Sequence, residues 1–152
     1  MSGTPTHADA DLILKLYDAR REPEMRKARH WWIQTFWPQS ADDILAVMRA
    51  SGSQENNWFR QVLGYWGMAV SFVQHGVLNE KLFLEQSFSG ELFLMYAKIA
   101  PFLKDLREKS QNPSFLGAAE SIILSEPARP RLEYMTKNVE NMRKARLQAK
   151  AS

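Results

Sequence analysis

The chain has 152 residues, of which 45% are hydrophobic and 24% are charged, with a formal net charge of +3 and no cysteine. This length suits a single domain with a sizeable core, and the near-average composition argues against wholesale disorder. The lack of cysteine excludes disulfides, thiolate metal sites and cysteine nucleophiles.

The N-terminal sequence, MSGTPTHADAD, contains neither a basic region nor an apolar run. It therefore predicts no signal peptide and no membrane anchor, and favours a soluble, cytoplasmic protein. Residues 1–7 are expected to form a flexible leader, with Thr6 or Asp9 capping a first helix over about residues 8–20. Residues 22–36 should form either a second helix or a continuation of the first after a kink, and Pro38 should end it, because proline cannot continue a helix.

Residues 56–75 form the most apolar stretch and predict the first of two core helices. Apolar residues surround most of its circumference, yet the run is shorter than the roughly 20 apolar residues that a membrane-spanning helix needs. We therefore expect no transmembrane segment. Gly64, Gly67 and Ser71 place small side chains on one face, where a second helix is expected to approach closely. Gly76 should end the helix in the left-handed conformation.

A second core helix is expected over about residues 91–109. Pro101 should kink it or split it, because proline removes a backbone hydrogen bond and clashes with the preceding turn. Shorter helices surround the two core helices. Their expected N-caps are Ser40, Asn79 and Ser114, since short polar side chains accept hydrogen bonds from free backbone amides.

The C-terminal residues, 127–152, predict a basic helix that is either docked on the bundle or dimer-forming. It carries an apolar stripe at helical spacing, made of Leu132, Met135, Val139 and Met142. Beyond this stripe, Arg143, Lys144, Arg146 and Lys150 have no acidic residue among them. The stripe is the preferred candidate for an interface with another chain, although packing on its own bundle is an equal alternative.

No run of alternating β-branched residues bounded by turns is present, so the sequence does not predict strands. The predicted fold class is all-α. We expect a single-domain helical bundle of about seven or eight helices around the two core helices, with residues 8–126 as the bundle domain.

Three stretches resemble a family of small bacterial proteins known only as a domain of unknown function. They are LYDARREPEMRKARHWW, NWFRQVLGYWGMAVSFVQHGVLNEKLF and LFLMYAKIAPFLKDLRE. The resemblance implies a helical bundle. It implies no activity and no catalytic residue.

Known patterns for catalysis and metal binding are missing from the sequence. The three histidines share no ligand spacing, and the chain has no Glu-x-x-His pair and no Gly-x-Ser-x-Gly elbow. We therefore predict no catalytic residue, no metal site and no cofactor. Enzymatic activity stays open, with a non-enzymatic role favoured.

Residues 20–37 combine cations with aromatic side chains, a mixture that can hold phosphates and stack on bases. The candidate anion-binding residues are Arg20, Arg21, Arg26, Lys27 and Arg29. Asp18, Glu22 and Glu24 lie among them at helical spacing, so a solvated face of ion pairs is the favoured alternative.

Arg60 stands out as a charged residue in the most apolar helix. Because a charge is costly to bury unless it is paired, we expect either a buried ion pair, with Glu85, Glu91 or Asp105 as partner, or a helix face that reaches solvent. A structural ion pair is favoured over an anion-binding role for this arginine.

Three functions follow from these patterns. The leading hypothesis is a protein-interaction module that associates with itself, as a homodimer. The first alternative is binding of nucleic acid or another anionic surface by residues 20–37 and the basic C-terminus. The second is a small-molecule site in a groove between the core helices, near Pro101 and the Gly64/Gly67 face.

Overall fold

The structure is a computed structural model, and it describes residues 3–152. Over these residues the chain is all-helical and contains no strand. The helices are α1 (His7–Ala19), α2 (Pro23–His30), α3 (Ala41–Arg49), α4 (Gln54–Gln74), the single turn α5 (Glu80–Phe83), α6 (Gln86–Ile99), α7 (Leu103–Ser110), α8 (Gly117–Ile123) and α9 (Arg129–Ala151). The predicted all-α bundle is therefore confirmed.

The two predicted core helices correspond to α4 and to α6 with α7. Helix α4 packs against α2, α3 and α8, whereas α6 packs against α9, and α3 packs against α7. Aromatic side chains connect the two core helices: the ring centroids of Trp66 on α4 and Phe88 on α6 are 5.7 Å apart in an edge-to-face arrangement. Pairs of this kind stabilise a core by about 0.5–1.5 kcal/mol beyond their buried area.

A π-helical turn, Trp31–Thr35, continues directly from α2. The Phe36 amide donates to the Trp31 carbonyl, five residues back, which widens the backbone at this point. The wider turn lets Trp31, Trp32 and Phe36 all face the core. Trp32 stacks on Phe59 of α4 with ring centroids 5.0 Å apart, so this segment is fixed to the first core helix.

Proline and glycine set the helix ends as expected. A 3₁₀ turn, Ala100–Phe102, contains Pro101 and separates α6 from α7, which confirms the predicted break. Gly52 and Gly76 have φ angles of 86° and 72°, in the left-handed region that glycine adopts without a Cβ clash. Ser40 and Asn79 accept the backbone hydrogen bonds expected of N-caps.

Thr6 caps α1, and the chain before it contacts the bundle. The Asn79 side chain donates to the Gly3 carbonyl at 2.6 Å, and the Asn79 amide donates to Asp9 at 2.8 Å. The described part of the predicted leader is therefore held by the turn before α5. Met1 and Ser2 lie outside the described residues.

Within residues 3–152, no helix is both long enough and apolar enough to cross a membrane. This agrees with the expectation of no transmembrane segment.

Candidate functional site

The most enclosed apolar depression described lies between α4, α6 and the segment that leads into α8. Its volume is about 330 Å³. The lining consists of Leu63, Gly64, Trp66, Gly67 and Val70 from α4, Leu92, Met95, Tyr96 and Ile99 from α6, and Ser114, Phe115, Leu116, Gly117, Ala118 and Ala119. We refer to these residues as the glycine pocket. Ser114 and Tyr96 contribute its only side-chain hydroxyl groups, so the wall is predominantly apolar.

Gly64 and Gly67 face open space rather than a neighbouring helix. A Cβ atom added at either position would meet no heavy atom within 4 Å apart from its own helix and chain neighbours. The predicted close approach of a second helix at this face is therefore wrong. Each glycine costs a helix interior about 1 kcal/mol relative to alanine, and no tight backbone contact accounts for either one. Both glycines are exposed and line the opening of the pocket.

The wall opposite α4 is held by a polar network at the edge of the pocket. Arg107 donates from Nε and Nη2 to the Phe115 carbonyl, at 3.0 and 2.8 Å, and from Nη2 to Glu120 at 3.2 Å. The Tyr96 hydroxyl donates to the other Glu120 oxygen at 2.8 Å. The Arg107 guanidinium therefore fixes the segment that forms the wall.

Burial, together with the hydrogen bond to Glu120 and the charge of Glu120, raises the pKa of Tyr96 well above its usual range. The phenol stays neutral, and its proton is committed to the carboxylate. Leu116, in the same wall, has a φ of 60°, a left-handed conformation that costs a non-glycine residue about 1–2 kcal/mol. Leu116 is the N-cap residue of α8, and no side chain caps this helix, so the expected cap at Ser114 is wrong.

Arg20 is not available to an external anion. Its side chain is buried, with the guanidinium carbon 4.8 Å from the Trp66 ring centroid and 4.7 Å from that of Phe88. Its Nε donates to the Tyr65 hydroxyl at 3.0 Å, and its Nη2 donates to the Phe88 carbonyl. The prediction of Arg20 as an anion-binding residue is wrong, because its donors and its aromatic contacts lie inside the bundle.

Arg29 is likewise occupied, by Glu91 of α6. The Arg29 Nε to Glu91 Oε2 distance is 2.6 Å, and the other Glu91 oxygen accepts from Trp66 Nε1 at 2.9 Å. The Glu91 side chain is only 6% exposed, so this ion pair is largely shielded from water. Arg29 therefore joins α2 to α6, and its assignment as an anion-binding residue is wrong.

The other cations of this segment are on the surface. Arg21 lies 3.9 Å from Asp18, and Lys27 lies 3.0 Å from Glu24, each pair three residues apart in sequence. Arg26 is exposed. Because Trp31, Trp32 and Phe36 are buried, they offer no stacking surface for bases. These positions fit the alternative to anion binding, a solvent-exposed face of ion pairs between residues close in sequence.

Arg60 is exposed on α4 and forms no ion pair with any described residue. The favoured prediction of a buried ion pair is wrong, and its alternative, a helix face that reaches solvent, is confirmed. Glu91, one of the proposed partners of Arg60, pairs with Arg29 instead.

The apolar stripe of α9 packs on its own chain. Val139 is 1% exposed, and Leu132 and Met135 pack against the hydrophobic core, whereas Met142 stays 39% exposed. Helix α9 lies along α6. The first three of these residues therefore fit the alternative in which α9 is docked on its own bundle rather than forming an interface with another chain.

Lys98 is a charged residue that sequence reasoning missed. It is fully buried in α6, with Nζ 4.0 Å from the Trp37 ring centroid and donating to the Trp32 carbonyl. Burial, followed by the positive charges of Arg146 and Arg143, lowers the pKa of Lys98 to about 7. The signal was present in the sequence: a lysine stands in the apolar run LFLMYAKIA at the centre of a predicted core helix.

The described residues contain no group of three or more histidine, cysteine, aspartate or glutamate side chains placed to hold a metal ion. No curated protein and no solved structure matches the chain significantly. A family model, described as a domain of unknown function (DUF4760), matches residues 5–124, which is more than half of the chain and includes every residue of the glycine pocket. The chain therefore belongs to the DUF4760 family.

Proposed function

We propose that this protein binds a small, predominantly apolar molecule in the glycine pocket. The observation that carries the proposal is the space in front of Gly64 and Gly67, where an added methyl group would meet nothing within 4 Å. A folded chain gains from filling apolar space and from replacing helical glycine with alanine. The pocket keeps both helical glycines and leaves the apolar space unfilled, so neither stabilising contribution is realised, as expected of a site that a ligand fills.

The volume and the wall define the class of ligand. Apolar cavities of roughly 150 Å³ hold benzene, and the pocket has about 330 Å³. A ligand of two fused rings, or an aliphatic molecule of similar size, matches this space. Ligand sites in proteins are mostly apolar with few polar groups, and Ser114 and Tyr96 supply those groups here.

The side chains and backbone around the pocket are held in place by hydrogen bonds without a ligand, and this order favours binding. Arg107 and Glu120 hold the Phe115 carbonyl and the Tyr96 hydroxyl in place through hydrogen bonds of 2.8–3.2 Å. A site whose wall is already ordered loses little conformational entropy on binding. No base or nucleophile with a catalytic partner lines the pocket, and binding rather than catalysis is the function proposed.

The test uses 5-fluoroindole, a two-ring probe observed by ¹⁹F NMR as the full chain is added. We expect saturable broadening or a shift of the fluorine signal with the native chain. Gly67→Leu should abolish it, because the new side chain extends into the pocket. Gly90→Leu is the matched control, since it makes the same change at a helical glycine where an added Cβ atom meets no neighbour but which lies outside the pocket. Equal binding by the native and Gly67→Leu chains would show that the probe binds elsewhere and that the proposal is wrong.

Self-association stays a prediction without an assigned surface, because most of its preferred stripe is covered by α6 and the core. Light scattering after size-exclusion chromatography measures the solution mass directly. A monomeric mass at high protein concentration would refute the homodimer.

A further inference from the structure

Two cationic side chains, Lys98 and Arg146, lie against Trp37, and Arg143, one turn before Arg146 on α9, contacts the backbone of Lys98; none of these residues lines the glycine pocket. Lys98 Nζ and the Arg146 guanidinium carbon lie 4.0 and 4.6 Å from the Trp37 ring centroid. Arg143 donates from Nη2 to the Lys98 carbonyl at 3.0 Å, and its guanidinium carbon lies 5.3 Å from the Phe102 ring. The positive charges of Arg146 and Arg143 act against the charge of Lys98, and a nearby negative charge would offset this repulsion.

No described acidic residue provides that negative charge at ion-pair distance. None of the three cations forms a salt bridge within residues 3–152. Glu140, one turn before Arg143, is exposed and acts on it only through its more distant charge. Residues 141–152 contain no aspartate or glutamate, and neither do residues 92–104 of the facing segment.

The same place holds N–H donors without acceptors. Trp37 Nε1 and Arg143 Nε are both buried from solvent and have no hydrogen-bond partner among the described residues. Buried donors are nearly always paired in folded proteins, because an unpaired one has lost its water without compensation. An anion with several acceptor oxygens would balance the positive charge of this cluster and accept hydrogen bonds from its unpaired donors.

We propose that Trp37, Arg143 and Arg146 bind a phosphate group. A phosphate monoester or inorganic phosphate carries between one and two negative charges at neutral pH and three or more acceptor oxygens, so it can satisfy several donors at once. Arginine suits this role because its planar guanidinium donates two parallel hydrogen bonds to one phosphate. Lys98, fully buried with Nζ 4.0 Å from the Trp37 ring centroid, adds positive charge when it is protonated and does not need to touch the ligand.

This site differs from the glycine pocket in its location and in its ligand. Its two arginines belong to α9, which lies beyond residue 124, where the match to the family model ends. Phosphate binding there would stabilise the docking of α9 on the bundle, because the ligand bridges α9 and the Trp37 segment. The two proposals stand independently, since loss of one kind of binding leaves the other unaffected.

The experiment titrates inorganic phosphate, and separately phenyl phosphate, into the full chain by calorimetry with ionic strength held constant by chloride. In parallel, ¹H–¹⁵N NMR follows the indole N–H signals, that of Trp37 being identified by its loss in Trp37→Phe. We expect saturable binding of at least one probe and a shift of the Trp37 indole signal. The relative affinity of the two probes tells whether the phosphate group is better accepted free or as an ester.

Arg146→Gln should weaken phosphate binding by about tenfold or more, the typical loss for a charged hydrogen-bonding partner. Lys144→Gln is the matched control: it makes the same charge change on the same helix at an exposed position, and its effect should stay below about twofold. Circular dichroism checks that both variants are folded, and Trp37→Phe, which keeps an aromatic ring without the N–H donor, provides a second weakened variant. Binding no stronger than that of chloride, or equal losses in Arg146→Gln and Lys144→Gln, would overturn the proposal.

Discussion

The buried Lys98 should make the stability of the protein depend on pH in a way that one substitution removes. In the unfolded chain the lysine pKa is near 10.5, whereas in the folded chain it is about 7. Between these values the unfolded state binds a proton that the folded state lacks, so the free energy of unfolding rises with pH. The slope is about 1.4 kcal/mol per pH unit, and from about pH 6.5 to about pH 9 the contribution amounts to about 2–3 kcal/mol. Below about pH 7 both states are protonated, and this contribution is lost.

Lys98→Met keeps the length of the side chain and removes the titrating group. It also leaves the Trp32 carbonyl without its donor, a loss that does not depend on pH. Urea unfolding followed by tryptophan fluorescence, in buffers free of phosphate and sulfate, gives the free energy of unfolding of both chains at the two pH values. The native chain should gain about 2–3 kcal/mol relative to the variant as the pH is raised.

The exposed Lys104→Met provides the control, because it should show no such change. The same difference between the native and Lys98→Met chains at both pH values would refute the reasoning.

Three further predictions concern stability and are measured by urea unfolding. Glu91→Gln should destabilise the fold by about 2–3 kcal/mol, because an amide donor would then face the donors of Arg29. Gln111→Gly should stabilise it by about 0.5–1 kcal/mol, since this exposed residue ends α7 with a φ of 56°; a loss of stability would show that the left-handed backbone is not strained. Gly67→Ala and Gly90→Ala should each add up to about 1 kcal/mol, and a destabilised Gly67→Ala would contradict the open space in front of that glycine.

Part of the glycine pocket could be predicted from the sequence. The small residues Gly64 and Gly67, and the break at Pro101, indicated a groove between the core helices, because both features follow from local backbone chemistry. The sequence could not tell whether the groove was filled. Whether the groove is filled depends on the position of Phe115 and its neighbours, and Arg107 fixes that position. Arg107 is close to Phe115 in sequence, but its donors could equally have faced solvent.

The sequence by itself determined most of the helices and several of their caps and ends, because proline at 101, glycine at 76, and the caps Ser40 and Asn79 act on a few neighbouring backbone groups. Tertiary structure alone decided which cations are buried. Arg20 and Lys98 lie inside the bundle, whereas Arg60, in the most apolar helix, reaches solvent. The physical reason is that burial depends on how each helix is rotated against its neighbours, and that rotation is set by the packing of the whole core.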